Sequence, residues 1–279
     1  MHSSTIAIYT FVDDLLKALD HREDIRQQIS DAQVVTSALV AMLYCGGNFE
    51  KACCLLGQAK LFSHRLSRSR FSRRLLRLKD ILQLLFHQVG SHLKELNPHS
   101  RYLLDSFPVS ICDNIRIKRC RLTKKCFEKE DYRGYLASKR RYFYGVRVQL
   151  LVTEAGLPVE LAIVPGAPSD LQGAAELAFD LPAKSRVFLD SGYTEYNWED
   201  FLKETEEIEF LVRRKKNSER IDLPATADYK QLMRKYIETV NGEIARLFPK
   251  KIHATTLDGF MLKVMLFVFA YQIDKAFIS

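Results

Sequence analysis

Apolar residues in the first hundred positions recur every three or four residues, which is the spacing of amphipathic helices. A stripe from Ile6 to Leu19, with charged residues between its members, predicts a first helix. Further helices are predicted from about Asp31 to Gly46-Gly47, over 49–56, and as one long helix over about 67–96. Pro98 closes this segment, because the residue before a proline disfavours helical geometry. Residues 1–97 are therefore predicted to form an all-helical domain.

From Arg101 onward the pattern changes to short apolar runs that alternate with helical segments. The predicted elements are a strand over 102–107, a hairpin of strands over 142–152 and 157–164, a helix over 170–179, a strand over 186–189, a helix over 195–205, a strand over 209–212, a helix over 229–247 and a final apolar helix over 257–277. This order favours a mixed sheet flanked by helices. The ribonuclease-H-like fold has that arrangement, with a metal site at the strand ends. We therefore predict an α/β protein whose residues 98–279 form a ribonuclease-H-like, five-stranded mixed sheet flanked by helices.

The charge of the chain favours a polyanionic partner. Its formal net charge is +8, and the positive residues are clustered. The segment from Lys60 to Asp80 holds eight Lys or Arg against one acid, and the segment from Arg101 to Leu150 holds thirteen against five. Clusters of this kind are typical of surfaces that contact nucleic-acid phosphates. Two merely solvated basic faces remain the alternative.

The helical region has one strongly basic segment. Short helices followed by a basic helix resemble a helix-turn-helix element, although a helical bundle with one basic face would give the same pattern. The candidate DNA-binding residues of this segment are Arg68, Arg70, Arg73 and Arg74.

Several other classes of protein are disfavoured. The six cysteines show no CxxC pair and no partnering histidine spacing, which argues against a zinc site and for reduced thiols. Met1 to Thr10 lacks the charged start and the cleavage site of a signal peptide. The most apolar stretch, Phe260 to Tyr271, contains Lys263 and is too short to cross a bilayer. The prediction is a cytoplasmic protein without a membrane partner.

Three acidic residues are the strongest candidates for chemistry. Asp105 and Asp190 each lie in or directly after a short hydrophobic run that predicts a buried strand, and Glu238 lies on a basic amphipathic helix. Carboxylates from strand ends and a facing helix can converge on Mg²⁺. Paired Mg²⁺ ions cut or join phosphodiesters by in-line displacement. A DNA-processing enzyme is therefore the leading hypothesis.

The strand aspartates also have a structural interpretation. A carboxylate among buried residues is costly unless it is paired, hydrogen-bonded or bound to metal. Asp105 would suit a cap for a turn that Ser106 and Pro108 start, and Asp113 is its rival as a site residue beyond that proline. Because Asp190 repeats the strand-Asp-Ser pattern, a shared function gains weight.

The helix glutamate has alternatives as well. Glu238 suits an exposed ion pair with Arg234, four residues earlier. Glu243 is the rival on the same helix, but it lies about 140° around the axis, so both cannot face one site. Asp170, in a loop before a helix, is interpreted as a helix N-cap.

Taken in order, these motifs show a family resemblance. The segments that carry it are Leu66-Ser-Arg-Ser-Arg-Phe-Ser-Arg-Arg-Leu75, Leu104-Asp-Ser-Phe-Pro-Val109, Tyr144-Gly-Val-Arg147, Pro165-Gly-Ala-Pro-Ser-Asp170, Leu189-Asp-Ser-Gly-Tyr193 and Ile237-Glu-Thr-Val240. Over nearly its whole length the chain resembles the DDE transposases of bacterial insertion sequences. In that family two strand aspartates and a helix glutamate are the catalytic metal ligands, which implies Asp105, Asp190 and Glu238.

The helix that carries Glu238 follows the family pattern only in part. Related transposases often place Tyr, Arg, Glu and Lys at set intervals there. Arg234 and Glu238 fit the interval between Arg and Glu, whereas the expected Tyr falls on Gln231. The expected Lys falls on Ala245, with Arg246 beside it as a substitute phosphate contact.

The resemblance implies a site for two Mg²⁺ ions, with Mn²⁺ as a substitute, in which Asp105 bridges both ions and Asp190 and Glu238 each hold one. The reactions implied are hydrolysis at the element ends and transesterification of 3′-OH ends into target DNA. The remaining expected phosphate contacts are Lys139, Arg140, Arg141, Arg147, Arg234 and Arg246.

The implied partners are double-stranded DNA, as terminal inverted repeats and as target, and a second copy of the chain in a synaptic dimer at the bacterial nucleoid. Two aromatic features stand near the expected site. Tyr142, Phe143 and Tyr144 interleave the basic run as a stacking surface would, but a strand core is favoured for them; Trp198 is assigned to helix packing. Two alternatives remain: a nuclease of the same fold that does not join strands, and a DNA-binding regulator without catalysis.

Overall fold

The computed structural model describes residues 2–62, 66–124, 129–136 and 140–278. The chain divides into two units. One comprises Met1–Gln88 together with Ile244–Ser279, and the other comprises Val89–Glu243. The assignment of DNA-binding and catalytic roles to residues 1–97 and 98–279 stays a prediction.

The first three helices follow the hydrophobic pattern closely. They are α1 (His2–Ala18), α2 (Asp31–Cys45) and α3 (Phe49–Gln58). Ser30 and Gln33 form a capping box at the start of α2, and Gly46 ends that helix with a left-handed φ of 55°. Because the apolar stripe of α1 is buried at Ile8, Val12 and Leu16, the predicted helix is confirmed.

The predicted long helix over 67–96 is wrong in one respect, because it is two helices, α4 (Arg68–Arg77) and α5 (Lys79–Glu95). Leu78 leaves helical geometry between them, with φ −86° and ψ 8°. The buried residues Phe71, Leu75, Leu78 and Leu82 keep an uninterrupted helical spacing across the break. No proline or glycine marks the position, so the pattern could not predict it.

The last helix of the chain, α9 (Leu257–Phe277), packs in the helical unit. Thr256 caps its start by accepting a hydrogen bond from the Gly259 N–H at 3.1 Å. Among the described residues, no single helix has both the length and the apolar character of a membrane span. In the part of the chain that the structure describes, the bent pair of α2 and α3, with 104° between them, meets that standard together.

The sheet of the second unit has six strands over the described residues. They are β1 (Arg101–Cys112), β2 (Arg133–Leu136), β3 (Arg141–Thr153), β4 (Pro158–Pro165), β5 (Arg186–Leu189) and β6 (Glu209–Val212). The strand order is β2-β3-β1-β5-β6, and β4 also pairs with β3. β3 is antiparallel to its neighbours, whereas β1, β5 and β6 are parallel to one another. The predicted ribonuclease-H-like α/β class is confirmed.

One strand of this sheet, β2, was not predicted, so five strands was too few. Its four residues are too short for a clear alternation, and they include Gly134. A Cβ at Gly134 would lie 2.2 Å from the Gly166 carbonyl oxygen, so close approach of two backbones requires glycine there.

The first strand is longer than predicted, because it continues through Pro108 to Cys112. Pro108 pairs with Arg147 of β3, so no turn starts at this proline. On the other side of β1, pairing with β5 covers only Arg101 to Leu104. Since no described strand adjoins that side of β1 at Pro108, the missing N–H interrupts no ladder there.

The α-helices that accompany the sheet within the described residues are α6 (Asp170–Ala174), α7 (Tyr196–Thr205) and α8 (Pro224–Leu247). α8 starts five residues before the predicted position, with Pro224 in its first turn, where a proline is well tolerated. α6 is shorter than predicted. Phe179 has a left-handed φ of 50°, and its N–H donates to the buried Glu160 carboxylate at 2.9 Å. That long-range hydrogen bond replaces a helical one.

Candidate functional site

The register between β1 and β5 brings two of the three predicted acids together. Leu103 pairs with Phe188 and Leu104 with Leu189. The next residue on each strand is Asp105 and Asp190. Because parallel strands in register keep neighbouring positions side by side, the two aspartates lie next to each other where β5 ends.

Asp105 is partly buried in the middle of β1, opposite Leu150 of β3. Its Oδ2 accepts a hydrogen bond from the Asn241 Nδ2 of α8 at 3.0 Å. Burial, with smaller contributions from the negative charges of Asp170, Asp190 and Glu238, raises the pKa of Asp105 to about 7. A backbone hydrogen bond from Ser106 opposes these effects. The carboxyl therefore lies where negative charge is crowded and poorly hydrated.

Asp190 has a buried oxygen without a donor. Its Oδ1 makes no hydrogen bond to any described residue. The nearest positive groups are the Nε of Arg234 at 3.6 Å and the Nη1 of Arg213 at 3.9 Å. A buried acceptor that lacks a donor is uncommon in folded proteins and calls for an explanation.

One face of α8 points towards both aspartates. Arg234, Glu238 and Asn241 follow one another at helical intervals of four and three residues. Arg234 approaches Asp190, and Asn241 contacts Asp105. Glu238 lies between them in sequence and raises the pKa of Asp105, so it is near the strand aspartates. This favours Glu238 over Glu243, whose role as an alternative stays untested.

The predicted ion pair on α8 is also present. The Nη2 of Arg234 lies 3.1 Å from the Oε1 of Glu238, and the glutamate side chain is 53% exposed. One guanidinium therefore neutralises part of the charge of both Glu238 and Asp190.

The side chains of Asp105, Asp190 and Glu238 are not close enough together to share one metal ion in this structure. Within the described residues, the group whose possible ligand atoms all lie within 4.8 Å of one another is His21, Glu23 and Asp31, in the helical unit. The carboxylate oxygens of Asp105, Asp190 and Glu238, which would be the metal ligands, do not all lie within that distance of one another.

The residues of the triad nevertheless fit a divalent cation. Mg²⁺ prefers oxygen ligands, above all carboxylates. Two buried oxygens here, the Oδ1 of Asp190 and the Oδ1 of Asn241, have no hydrogen-bond donor among the described residues. A cation would satisfy such oxygens and would relieve the repulsion that raises the pKa of Asp105.

Asp170 is not the N-cap of α6, contrary to our interpretation of the sequence. Ser169 fills that position, in a capping box with Gln172. The Asp170 Oδ1 instead accepts a hydrogen bond from the Ser106 Oγ at 2.6 Å and pairs with the Arg147 Nη1 at 2.5 Å. Asp170 thus contributes negative charge beside Asp105.

A buried polar network supports this arrangement. Gln149 of β3 donates from Nε2 to the Asp170 carbonyl oxygen at 3.2 Å. Its Oε1 accepts a hydrogen bond from the Tyr193 hydroxyl at 2.8 Å. Asn241, Gln149 and Tyr193 were missed as site residues and Asp170 was assigned to a helix cap, because the partners of all four depend on the sheet register.

The expected DNA contacts in the helical unit differ in their surroundings. Arg68, Arg70 and Arg73 are exposed on α4. Arg74 is directed inward, and its Nε and Nη2 lie 2.8 and 2.6 Å from the Asp31 Oδ1. Arg74 is therefore engaged within the helical unit. Arg246, at the end of α8, is exposed.

The expected contacts near the sheet are equally uneven. Arg140 and Arg141 are exposed, whereas Arg147 is 12% exposed and paired with Asp170. Lys139 lies outside the described residues. Arg234 approaches Asp190 and Glu238, as described above.

The aromatic residues near the site serve mainly in packing, with one exception. Phe143 and Tyr144 are buried in the strand, as predicted, but Tyr142 is 53% exposed and packs against Tyr135 with ring centroids 4.9 Å apart and the rings tilted by 53°. Trp198 packs edge-on against Phe179 and Phe210, which agrees with the packing role assigned to it.

Comparison with known proteins gives one match. The family model of the transposase DDE domain matches residues 96–273. Neither the curated proteins nor the solved structures contain a match to the chain.

Proposed function

The chain belongs to the transposase DDE domain family, and from this premise we propose that it is an insertion-sequence transposase. It would cut DNA at the ends of its element and join the freed 3′-OH ends to target DNA. The observation that carries the proposal is the side-by-side placement of Asp105 and Asp190, with the Arg234–Glu238–Asn241 face of α8 above them.

Members of this family use divalent metals, and the residues that would hold two Mg²⁺ ions are Asp105, Asp190 and Glu238. When bound, the ions would activate the attacking water or 3′-hydroxyl and stabilise the leaving oxygen. Asp105 has the central role in the proposal, since it adjoins Asp190 on the sheet and lies close enough to Glu238 for that charge to raise its pKa.

Arg234 would bind a phosphate of the DNA substrate. Its guanidinium lies between Asp190 and Glu238 in the protein alone. A phosphodiester offers it the same charge-assisted hydrogen bonds as a carboxylate. Arg234 would therefore exchange these partners for phosphate when DNA enters, and Arg213 at 3.9 Å from Asp190 would assist.

The other DNA contacts are proposed for exposed arginines. Arg68, Arg70 and Arg73 would hold DNA through α4, and Arg140, Arg141 and Arg246 would hold phosphates elsewhere. A synaptic dimer would be needed to join two element ends.

The proposal is tested by incubating the protein with Mg²⁺, labelled DNA carrying the terminal inverted repeats of its own element, and a supercoiled target plasmid. We expect cleavage at the repeat ends and joined products with the wild-type protein. Asp105→Asn should abolish both, whereas Asp113→Asn, at an exposed carboxylate, should not. Cleavage without joining would instead support a nuclease. If the folded wild-type protein leaves the DNA unchanged, the proposal that it is an enzyme is contradicted.

A further inference from the structure

Beyond the three acids, we propose that Asn241 is a positioning residue that holds the Asp105 carboxylate in place for metal binding. This inference rests on the proposed function, because it concerns the same site. Asn241 belongs to none of the motifs by which the family resemblance was identified.

The contact itself is specific. Asn241 is 7% exposed, and its Nδ2 donates to the Oδ2 of Asp105 at 3.0 Å across 136 positions of the chain. A donor on Oδ2 fixes the rotation of the carboxyl group about its last bond. It leaves Oδ1 of Asp105 for other partners. Such hydrogen bonds to a ligating carboxylate commonly tune metal affinity.

The other half of the amide is available to a further partner at the site. The Oδ1 of Asn241 is buried and has no hydrogen-bond partner among the described residues. Most buried polar side-chain atoms in folded proteins have a partner, so an orphaned acceptor on a side chain that contacts the Asp105 carboxylate calls for an explanation. An apolar side chain of similar size would fill the space without leaving an unsatisfied acceptor.

The position on α8 gives Asn241 a second consequence for the site. It follows Glu238 by three residues, and Arg234 precedes Glu238 by four. Arg234 approaches Asp190 while Asn241 contacts Asp105. Each strand aspartate is thus contacted by a residue that flanks Glu238, and the Asn241 contact sets how α8 presents that glutamate.

The test measures Mn²⁺ binding by the full-length protein without DNA, by calorimetric titration, together with thermal unfolding with and without Mn²⁺. Asn241→Leu should weaken Mn²⁺ binding by about tenfold or more, within the range for residues that support metal ligands. Its melting temperature without metal should stay close to that of the wild type. The matched control is Thr239→Ala, an exposed position two residues away on the same helix, which should change neither quantity.

A second variant makes a prediction that a purely structural role does not. Asn241→Asp keeps the shape but places a carboxylate against Asp105. We expect a lower melting temperature without metal and recovery of most of the loss when Mn²⁺ is added, because the cation neutralises the added charge. Asn241→Ser, which keeps a short hydrogen-bonding group, should bind Mn²⁺ more tightly than Asn241→Leu.

Failure of this inference can be told apart from failure of the proposed function. If Asp105→Asn loses Mn²⁺ binding but Asn241→Leu binds like the wild type, the metal site stands and the role of Asn241 is wrong. If Asn241→Leu is unfolded without metal, Asn241 is structural and the inference is overturned. If the wild type itself does not bind Mn²⁺, both proposals are wrong.

Discussion

Two groups of acidic residues in this protein are built in opposite ways. In the helical unit, Asp31 is buried, its Oδ1 is bound by Arg74 and its Oδ2 lies 2.9 Å from the His21 Nε2. The Asp31 N–H donates to Glu23 at 2.9 Å. Every oxygen of the buried carboxylate therefore has a partner supplied by the protein, and the arginine supplies the positive charge.

The two strand aspartates of the sheet unit are not satisfied in this way, although Asn241 donates to Asp105 and Arg234 approaches Asp190. The Oδ1 of Asp190 lacks a hydrogen bond among the described residues, and the pKa of Asp105 is raised to about 7 by burial and by neighbouring acids. The tighter group of possible ligands is thus the satisfied one. In the proposed function, unsatisfied buried oxygens rather than the proximity of carboxylates mark the cation site.

The largest expected effect comes from removing a charge from the unsatisfied group. Asp105→Asn should lower the rates of DNA cleavage and joining by at least about 10³-fold, because a cation loses a ligand that contributes several kcal/mol to transition-state binding. Single-turnover assays on labelled repeat DNA measure this. The same variant should be no less stable than the wild type without metal, since it removes a repelled carboxylate; marked destabilisation would show that Asp105 is structural.

Changes to the satisfied group around Asp31 should instead lower the stability of the folded protein. Asp31→Asn leaves the half-buried Arg74 without its nearest counter-ion, with Glu23 remaining at 3.9 Å, so we expect the free energy of unfolding to fall by about 3 kcal/mol in denaturant titrations. Adding Mn²⁺ should not restore it. Asp24→Asn removes an exposed aspartate that pairs with Arg26 and should leave the stability close to that of the wild type. Rescue of Asp31→Asn by a divalent cation would erase the distinction between the two groups.

The choice between the two glutamates of α8 sharpens the comparison within the sheet unit. Glu238→Gln should lower DNA cleavage by roughly 10²-fold, because the charge of Glu238 acts on Asp105 and the proposal makes Glu238 a metal ligand. Glu243→Gln, made on the same helix, should change the rate less than about threefold. Equal losses from both variants, measured in the same single-turnover assay, would reject the assignment.

Much of the sheet that places the candidate site was predictable from the sequence. Val187, Phe188 and Leu189 form a strand with the predicted bounds of β5, because a short apolar run ended by Asp-Ser-Gly has few alternatives. The same pattern at Asp105 marked β1. Its length was missed, since Pro108 is an ordinary strand breaker and is tolerated only because β5 has already ended beside it.

The partners of the acids could not be predicted. Asn241 lies 136 positions from Asp105. Its place three residues after Glu238 puts it on the same helix face, but it does not reveal which residue it contacts. Asp170 was assigned to a helix cap because its local sequence suits one; the neighbouring Ser169 forms the cap, and Asp170 turns to Ser106 and Arg147. Local patterns predict elements, whereas side-chain partners depend on the register of distant strands.

The burial of Asp105, together with the neighbouring acids, also predicts a dependence of stability on pH. The pKa of this carboxyl is about 7 in the folded protein and near 3.8 in the unfolded chain. Between these values the folded state binds more protons, so the free energy of unfolding falls as pH rises from about 4 to 7. The contribution of one group has a slope of at most about 1.4 kcal/mol per pH unit. Denaturant titrations of the metal-free proteins should show this fall in the wild type and lack it in Asp105→Asn. Identical pH profiles of the two proteins would contradict the raised pKa of Asp105.

The smallest expected effect separates two neighbouring arginines of α4. Arg70 is exposed, whereas Arg74 is held by Asp31. Arg70→Gln should weaken DNA binding by a few-fold and lower the dependence of log affinity on log salt by about one, because one phosphate contact is lost. Its stability should not change. Arg74→Gln should instead lower stability, because the buried Asp31 loses its counter-ion. Fluorescence anisotropy at several salt concentrations, with unfolding measured in parallel, tests both variants. An unchanged salt dependence in Arg70→Gln would remove α4 from the proposed DNA-binding surface while leaving the catalytic proposal intact, because the two rest on different residues.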